Sequence, residues 1–586
     1  MSRRMLHRAV GSLAALAVTA ALGTTVGAGA ASSVTTTDCP SAYPVADLVS
    51  GAPVHGLTVS NGTTPEGFAG SVVGVLKDGI APGMDLILVR LTSPEIDRVG
   101  GIWEGMSGSP VYAENGDLIG AVSYGLAYGP SPVAGVTPAA DMQALLDGGT
   151  STAAPAPKVL LPRTLARKVV ATGAATATEV SGGYTPIRTP MVVSGLAAGP
   201  RLNDFAKGMH LDGRVMSGSA STTDAPSYDI VPGGNLVASI SYGDVTAAAV
   251  GTATAVCGTQ VIGFGHPFNF AGDTTYAMQG ADAVYVQEDS LGAPFKLVNL
   301  GEPVGTVTGD HMAGIAGVTG SLPAVSSVTS SAFLGSRSRT GSSYVAVPDA
   351  VPDVSAATMV AEQDRVIDYV GKGSGRASWT IVGHRSNGRQ FTVSRTDYYN
   401  DDYDISYATA DDLYLALYRI WSAQPGLTIN SVTTSSHLDK RTGTYRITRV
   451  QTREHGVWRT ALPSTVVKVR QGTTRLVRVQ LVSATWGRRQ VVVGLSVPRG
   501  LAGTRTVAQV SGGGSLRGGD EGFIYFEGPE QETLGSVLAD LRTSPQRNQV
   551  VVTLGRGGPG SALAEGDRGT GHVVTGRHAF RVRVIR

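Results

Sequence analysis

The chain has 586 residues, which is too long for one compact core and predicts two to four domains. With 78 glycines, 30 prolines, 16% charged and 42% hydrophobic residues, the composition excludes a disordered chain and indicates turn-rich β domains. The net charge of +2 combines −11 over residues 1–430 (24 basic, 35 acidic) with +13 over residues 431–586 (23 basic, 10 acidic). Because the arginines of the basic part are scattered rather than clustered, we expect no nucleic acid partner.

The first 30 residues have the three parts of a secretory signal. Three arginines precede an apolar run from Ala9 to Leu22, and Ala28-Gly29-Ala30 fits the small-residue cleavage site. The apolar run is shorter than the ~20 residues that span a bilayer. Ser2-Arg3-Arg4 also resembles a twin-arginine signal, so both the general and the twin-arginine export routes stay open. We therefore expect a secreted, extracellular protein without a transmembrane anchor once residues 1–30 are removed.

The chain has only two cysteines, Cys39 and Cys257. This number excludes a disulfide-dense scaffold and a multi-cysteine zinc site. Export favours a disulfide between the two, and the alternative is a pair of free thiols. Neither a His-Glu-x-x-His motif nor a phosphate-binding glycine loop occurs, so no metal ion and no cofactor are expected.

Short β-branched runs separated by turn residues dominate the first 345 residues, and their spacing predicts antiparallel barrels or sandwiches. The runs are Gly70–Leu76, Asp85–Leu91, Leu118–Tyr124, Leu236–Ser241 and Val261–Phe264. A Gly-, Ala- and Pro-rich stretch at 149–157 is typical of a linker. Residues 346–586 predict one or two β-rich or α+β modules with two helices. One helix is expected to begin near Thr409, and the other to bury Leu534, Val537, Leu538 and Leu541. No catalytic motif occurs in these modules.

The segment Gly105-Met106-Ser107-Gly108-Ser109-Pro110 has the pattern of a nucleophilic serine loop. A glycine at 105 lets the chain bend so that the amides of Gly105 and Ser107 converge as an oxyanion hole. Asn115-Gly116 downstream predicts a hairpin that braces the loop. The alternative is an ordinary Gly/Ser loop, because Met216–Ser219 repeats part of the pattern.

A serine hydroxyl needs a neighbouring base, and His266 is the best candidate. It follows the apolar strand Val261–Phe264 in Phe264-Gly265-His266-Pro267, whereas most other histidines lie in polar or isolated settings. The alternative is a structural histidine at the end of a strand.

Two blocks of the chain resemble the stage IV sporulation protein B peptidase family. The serine block consists of Leu86–Leu91, Thr92-Ser93-Pro94, Gly100-Gly101-Ile102, Gly105–Pro110 and Asp117–Val122. The histidine block consists of Val250-Gly251-Thr252, Phe264-Gly265-His266 and a pair of glycine-rich strands at 305–307 and 314–317. The resemblance implies a trypsin-like double β-barrel in which Ser107, not Ser109, is the nucleophile and His266 the general base.

The two blocks stand in exchanged order, as in a circular permutation, so we expect a serine half at 31–148 and a histidine half at 158–345. A catalytic triad is defined by its spatial arrangement, which either order can build. Where the family has an acidic residue this chain has Ser93, so Asp244 and Asp273 are the candidates for the third member.

These observations predict a secreted serine endopeptidase that acts on protein or peptide substrates. Two alternatives stay open: a weak or inactive protease-like scaffold at the cell surface, and a peptidase that processes only its own chain, for example in the linker at 154–157.

Overall fold

The computed structural model describes residues 39–149, 158–209, 211, 214–218, 225–289, 293–516, 532–555 and 563–586. The secretory signal expected at 1–30 and all but the first residue of the linker expected at 149–157 lie outside these residues. Strands account for 50% of the structure and helices for 18%, so the mainly β prediction is confirmed.

The first seven strands form an antiparallel sheet that closes on itself. They are β1 (Pro53–Thr58), β2 (Glu66–Ala81), β3 (Met84–Thr92), β4 (Pro110–Ala113), β5 (Leu118–Leu126), β6 (Val133–Pro138) and β7 (Tyr184–Pro186). The order is β4-β1-β2-β3-β6-β5, and the pairing of β4 with β5 completes a six-stranded barrel. The predicted hairpin is present, with Gly116 at φ 87° in the turn between β4 and β5. We call this unit the serine barrel.

The next ten strands belong to a larger sheet that contains a second closed circuit. They are β8 (Pro190–Val193), β9 (Arg214–Ser217), β10 (Asn235–Gly243), β11 (Ala247–Cys257), β12 (Gln260–Gly263), β13 (Gly272–Gln287), β14 (Phe295–His311), β15 (Gly314–Thr319), β16 (Ser326–Leu334) and β17 (Arg337–Val345). The pairings run β10-β13-β14-β15-β12-β11 and return to β10, which encloses six strands. We call this circuit the histidine barrel. Two six-stranded units match the expected double barrel.

The two barrels share an apolar interface and a covalent link. Leu86 and Tyr124 of the serine barrel belong to one buried cluster with Ile262 of the histidine barrel. Cys39, ahead of the serine barrel, is bonded to Cys257 at the end of β11, so the predicted disulfide is confirmed. The bond and the shared cluster hold the facing surfaces together, and both candidate motifs lie at those surfaces.

Beyond residue 345 the chain continues the same sheet before a separate module begins. Strand β16 pairs in parallel with β20 (Thr428–Asp439), which leads to β18 (Gly373–His384) and β19 (Gln390–Asp401). Helices α6 (Val351–Ile367), α7 (Ile405–Ser422) and α9 (Leu534–Thr543) contribute buried residues to the core of this sheet.

The strands in the described parts of residues 445–586 form two five-stranded sheets around their own valine-rich core, whereas α9 packs on the larger sheet. One sheet holds β21 (Tyr445–Glu454), β22 (Val457–Thr460), β24 (Thr474–Ser483), β25 (Gly487–Ser496) and β29 (Val574–Thr575); the other holds β23 (Val466–Arg470), β26 (Arg505–Gly512), β27 (Gln549–Leu554), β28 (Ala564–Gly569) and β30 (Arg577–Ile585).

The remaining helices are short: α1 (Pro94–Val99), α2 (Ala139–Gln143), α3 (Arg163–Ala171), α4 (Ala177–Ser181), α5 (Pro200–Gly208) and α8 (Gly513–Leu516), with single 3₁₀ turns at Val45–Asp47, Ala144–Asp147 and Pro348–Ala350. Within the described parts of the chain, no helix has both the length and the apolar character that crossing a membrane requires.

Of the two helix predictions, one is correct in its buried residues and the other is wrong in its starting residue. In α9 the four predicted residues are all buried, because their spacing of three and four places them on one face. The predicted start of α7 near Thr409 is wrong. The helix begins at Ile405, where the Asp404 side chain caps it by accepting from Tyr407 N at 3.2 Å. Thr409 lies inside the helix, and its hydroxyl donates to Gln363 Oε1 at 2.9 Å.

Candidate active site

The serine loop, Trp103–Ser109, joins α1 to β4 and is buried between the two barrels. Ser107 is 0% exposed, and its Oγ has no hydrogen-bond partner among the described residues. Gly105 and Gly108 have φ values of 95° and 97°, which side chains rarely adopt. The loop therefore has the tight bends that the glycine pattern predicts.

Every carbonyl of the serine loop accepts a hydrogen bond. Trp103 O accepts from Met106 N, Glu104 O from Lys296 N, Gly105 O from the Thr252 hydroxyl, Met106 O from Ser109 N, Ser107 O from Thr252 N, Gly108 O from the Thr254 hydroxyl, and Ser109 O from Val122 N. Because a peptide N–H points opposite to the C=O of the same plane, these bonds also fix the direction of the loop amides.

Three amides of the loop, those of Trp103, Gly105 and Ser107, have no acceptor among the described residues, whereas those of Glu104, Met106, Gly108 and Ser109 donate to carbonyl oxygens. The Gly105 and Ser107 amides lie on either side of Met106. Buried amides are almost always bonded. Two free N–H groups on either side of one residue, next to a buried serine hydroxyl, are the arrangement of an oxyanion hole.

Strand β11 of the histidine barrel holds the loop in place. Thr252 N donates to Ser107 O at 2.8 Å, and the hydroxyls of Thr252 and Thr254 donate to Gly105 O at 3.0 Å and to Gly108 O at 2.7 Å. The approach is so close that a Cβ on Gly108 would lie 1.9 Å from Thr252 O. The conformation of the serine loop therefore depends on the second barrel.

The histidine turn, Phe264–His266, follows β12 and contacts both barrels. Phe264 and Gly265 have φ values of 66° and 71°, and Phe264 N donates to Thr252 O at 3.3 Å. From the serine barrel, the Thr137 hydroxyl donates to Gly265 O at 2.6 Å. A Cβ on Gly265 would lie 2.9 Å from Ser123 Cβ, so only glycine fits there.

The His266 ring has the tautomer that a general base requires. Its Nδ1–H donates to Pro267 O at 2.8 Å, which leaves Nε2 as the acceptor nitrogen. Nε2 is buried and has no partner among the described residues. Burial lowers the pKa of His266 to about 4, and the bond to Pro267 opposes this shift. The imidazole is therefore neutral over most of the pH range.

The two motifs are brought together by shared neighbours. Thr252 bonds to Ser107 through its N–H and to Phe264 through its carbonyl. On the other side, Val122 bonds to Gly108 and Ser109, and the adjacent Ser123 contacts the histidine turn. Ser107 Oγ and His266 Nε2 are not hydrogen-bonded to each other in this structure, and both are closed off from solvent.

Neither predicted acidic residue is paired with His266. The carboxylate of Asp244 accepts from Arg339, Arg365 and the amide of Ser342, at the β10–β11 turn. Thr252 lies on β11 five residues beyond its start at Ala247, so about 17 Å of extended strand separates it from that turn. Asp273 is exposed on β13. The side chain of Ser93 caps α1 by accepting from Ile96 N at 3.1 Å. The acceptor for His266 Nδ1–H is the backbone carbonyl of Pro267.

A buried carboxylate that sequence reasoning missed supports the histidine turn instead. Asp310 is 0% exposed; its Oδ1 accepts from Phe268 N at 2.7 Å, and its Oδ2 accepts from Asn269 N at 2.7 Å and from Ala271 N at 3.3 Å. Burial raises the pKa of Asp310, and the backbone bonds oppose this shift. Asp310 thus fixes the segment that begins two residues after His266, which makes it a positioning residue.

The chain matches no protein-family model, no curated protein and no solved structure. Over the described residues, no group of three or more His, Cys, Asp or Glu side chains is arranged to hold a metal ion. The chemistry that the site can perform is therefore argued from its own geometry.

Proposed function

We propose that this protein is an exported serine endopeptidase with Ser107 as nucleophile and His266 as general base. The observation that supports this most is the serine loop, in which every carbonyl is bonded while the Gly105 and Ser107 amides have no acceptor among the residues that the structure describes. A loop that served only to join α1 and β4 would gain stability by bonding those amides.

In the proposed mechanism His266 Nε2 takes the proton of Ser107 Oγ as Oγ attacks a peptide carbonyl. The carbonyl oxygen becomes negative and accepts hydrogen bonds from the Gly105 and Ser107 amides. His266 then gives its proton to the leaving amine. Water hydrolyses the acyl-enzyme by the same steps, with His266 as base and then as acid. Pro267 O, bonded to Nδ1–H, keeps the ring in the reactive tautomer.

A substrate can approach from a groove beside the loop. The groove has a volume of about 300 Å³ and is lined by Ile102, Trp103, Glu104, Tyr128, Pro130 and Arg188. Trp103 and Glu104, which line this groove, immediately precede Gly105 in the serine loop. Because Ser107 is fully buried, the facing surfaces of the barrels must separate slightly for the reaction.

Export is part of the proposal. The Cys39–Cys257 disulfide is compatible with an oxidising compartment, and the N-terminal signal pattern is consistent with one. The substrate class is protein or peptide.

The second candidate function is a protease-like scaffold that binds without catalysis. The closed site and the lack of a bond between Ser107 and His266 favour it. Apo sites are often looser than reacting ones, so we rank it second.

The test is hydrolysis of a fluorogenic unfolded protein by the mature secreted form. We expect activity in the wild type and none in Ser107→Ala. Ser109→Ala is the matched control, because the Ser109 hydroxyl donates to Thr58 at 2.9 Å and has no role in the mechanism. Hydrolysis that persists in Ser107→Ala would overturn the assignment, and a purified wild type that is inert at all pH values would favour the scaffold.

A further inference from the structure

A buried lysine lies against the serine loop. Lys296 is 0% exposed, and its Nζ has no hydrogen-bond partner among the described residues. A Cβ built on Gly105 would lie 3.1 Å from Lys296 Cβ and 3.2 Å from Lys296 Cε. The lysine side chain therefore follows Gly105 along its length, and the amine lies one bond beyond Cε.

The chain holds this lysine in place through several contacts. Lys296 N donates to Glu104 O at 3.0 Å, and Glu104 N donates to Pro294 O at 2.7 Å. Arg214 bonds to Glu104 at 2.9 Å and to Asp289 at 2.7 Å, and it stacks on the ring of Phe295. The start of β14 is thus fastened to the serine loop on both sides of Lys296.

Among the described residues, no carboxylate forms an ion pair with the amine. The Glu66 carboxylate is near enough to attract Lys296, but it accepts from the Ser60 amide and hydroxyl. Glu104 and Asp289 are paired with Arg214. Burial lowers the pKa of Lys296 to about 7, and the attraction of the Glu66 carboxylate opposes this shift. Such a group destabilises the fold, and buried groups of this kind are concentrated at functional sites.

We propose that Lys296 is a further catalytic residue, whose ammonium stabilises the negative charge that forms on the substrate carbonyl oxygen beside the Gly105 amide. This inference rests on the proposed function. As the Ser107 Oγ–C bond forms, the carbonyl π electrons move to oxygen and the proton of Oγ goes to His266. Lys296 keeps its protons throughout, and the negative charge of the carbonyl oxygen forms beside its ammonium.

The test is the rate of fluorophosphonate labelling of the mature protein between pH 4 and 9, because the attacked phosphoryl oxygen also becomes negative. We expect the wild-type rate to fall above pH 7, as the ammonium deprotonates. Lys296→Gln should lower the rate about 100-fold at pH 6 and remove the fall. Lys168→Gln, at an exposed position of α3, is the matched control and should leave both unchanged.

A second variant separates catalysis from folding. Lys296→Met has a similar volume and no charge, so we expect it to fold with a higher melting temperature than the wild type at pH 6 while it labels as slowly as Lys296→Gln. Wild-type rates and pH profiles in both variants would overturn the role of Lys296 and leave the peptidase proposal intact. A wild-type rate that rises through pH 7 and loses this rise in Lys296→Gln would make Lys296 a base and overturn its role as a cation. A wild type that never labels overturns both proposals.

Discussion

The dependence of the serine loop on the second barrel can be tested at Gly108. In Gly108→Ala the new Cβ would meet Thr252 O at 1.9 Å, and alanine is strained at φ 97° by about 1 kcal/mol. To relieve the overlap, the loop must move away from β11. It then loses the three hydrogen bonds that Thr252 and Thr254 donate to its carbonyls, each of which contributes about 1 kcal/mol. We expect a loss of about 4 kcal/mol in the free energy of unfolding.

The assay is urea denaturation of the mature protein, followed by tryptophan fluorescence because Trp103 lies in the serine loop. Gly116→Ala is the matched control: its φ is 87°, and an added Cβ has no atom within 4 Å. The control should lose only about 1 kcal/mol, from strain alone. If Gly108→Ala loses no more than Gly116→Ala, the close approach of the barrels at this loop is refuted.

Two further predictions concern the histidine turn. Since the pKa of His266 is about 4 when folded and 6.5 when unfolded, the unfolded chain binds more protons between these values, and the wild type should lose about 3 kcal/mol of stability as pH falls from 6.5 to 4. His266→Gln should lack that loss when the free energy of unfolding is measured at the same pH values. If this free energy falls equally with pH in the wild type and the variant, the burial of a neutral imidazole is contradicted. In Asp310→Asn one carboxylate oxygen becomes an NH₂ group, which cannot accept from the backbone N–H groups that it faces. We therefore expect a loss of about 3 kcal/mol in the free energy of unfolding and slower fluorophosphonate labelling of the folded fraction. Unchanged labelling would mean that Asp310 is only structural.

Local sequence patterns predicted the strands and the serine loop well. Asn115-Gly116 predicts the β4–β5 hairpin because its turn requires a positive φ. The glycines at 105 and 108 predict the bends of the serine loop for the same reason. The apolar strand before His266 is likewise a local feature. These elements depend on backbone sterics within a few residues, which a sequence displays directly.

The supporting groups of the site could not be found in this way. Asp310 and Lys296 lie 44 and 30 residues beyond His266, and they reach the site through the pairings of β14. The candidates chosen by proximity in sequence differ in why they fail. Asp244 lies in the turn before β11, several residues of extended strand from Thr252, and Asp273 pairs with Gly309 but has an exposed side chain. The sequence feature that distinguishes Asp310 is its place next to a glycine at the end of a largely buried strand. That feature becomes informative only once the structure is known.

The domain boundaries could also be predicted only in part from the sequence. The expected boundary at 345 falls inside a continuous sheet, because β16 pairs in parallel with β20, which lies nearly 100 residues further along the chain. Such a parallel pairing needs a long connection that leaves no local mark in the sequence. Helix α6, which supplies much of the buried surface there, was not predicted, because nearly all of its faces are buried and its apolar residues show little periodicity.

The most direct test of the central claim is to map a fluorophosphonate adduct by mass spectrometry on the mature wild type, Ser107→Ala and His266→Gln. We predict a single adduct on the peptide that contains Ser107, no adduct in Ser107→Ala, and labelling slowed by several orders of magnitude in His266→Gln. An adduct on another serine, or a Ser107 adduct that forms equally fast without His266, would contradict the account.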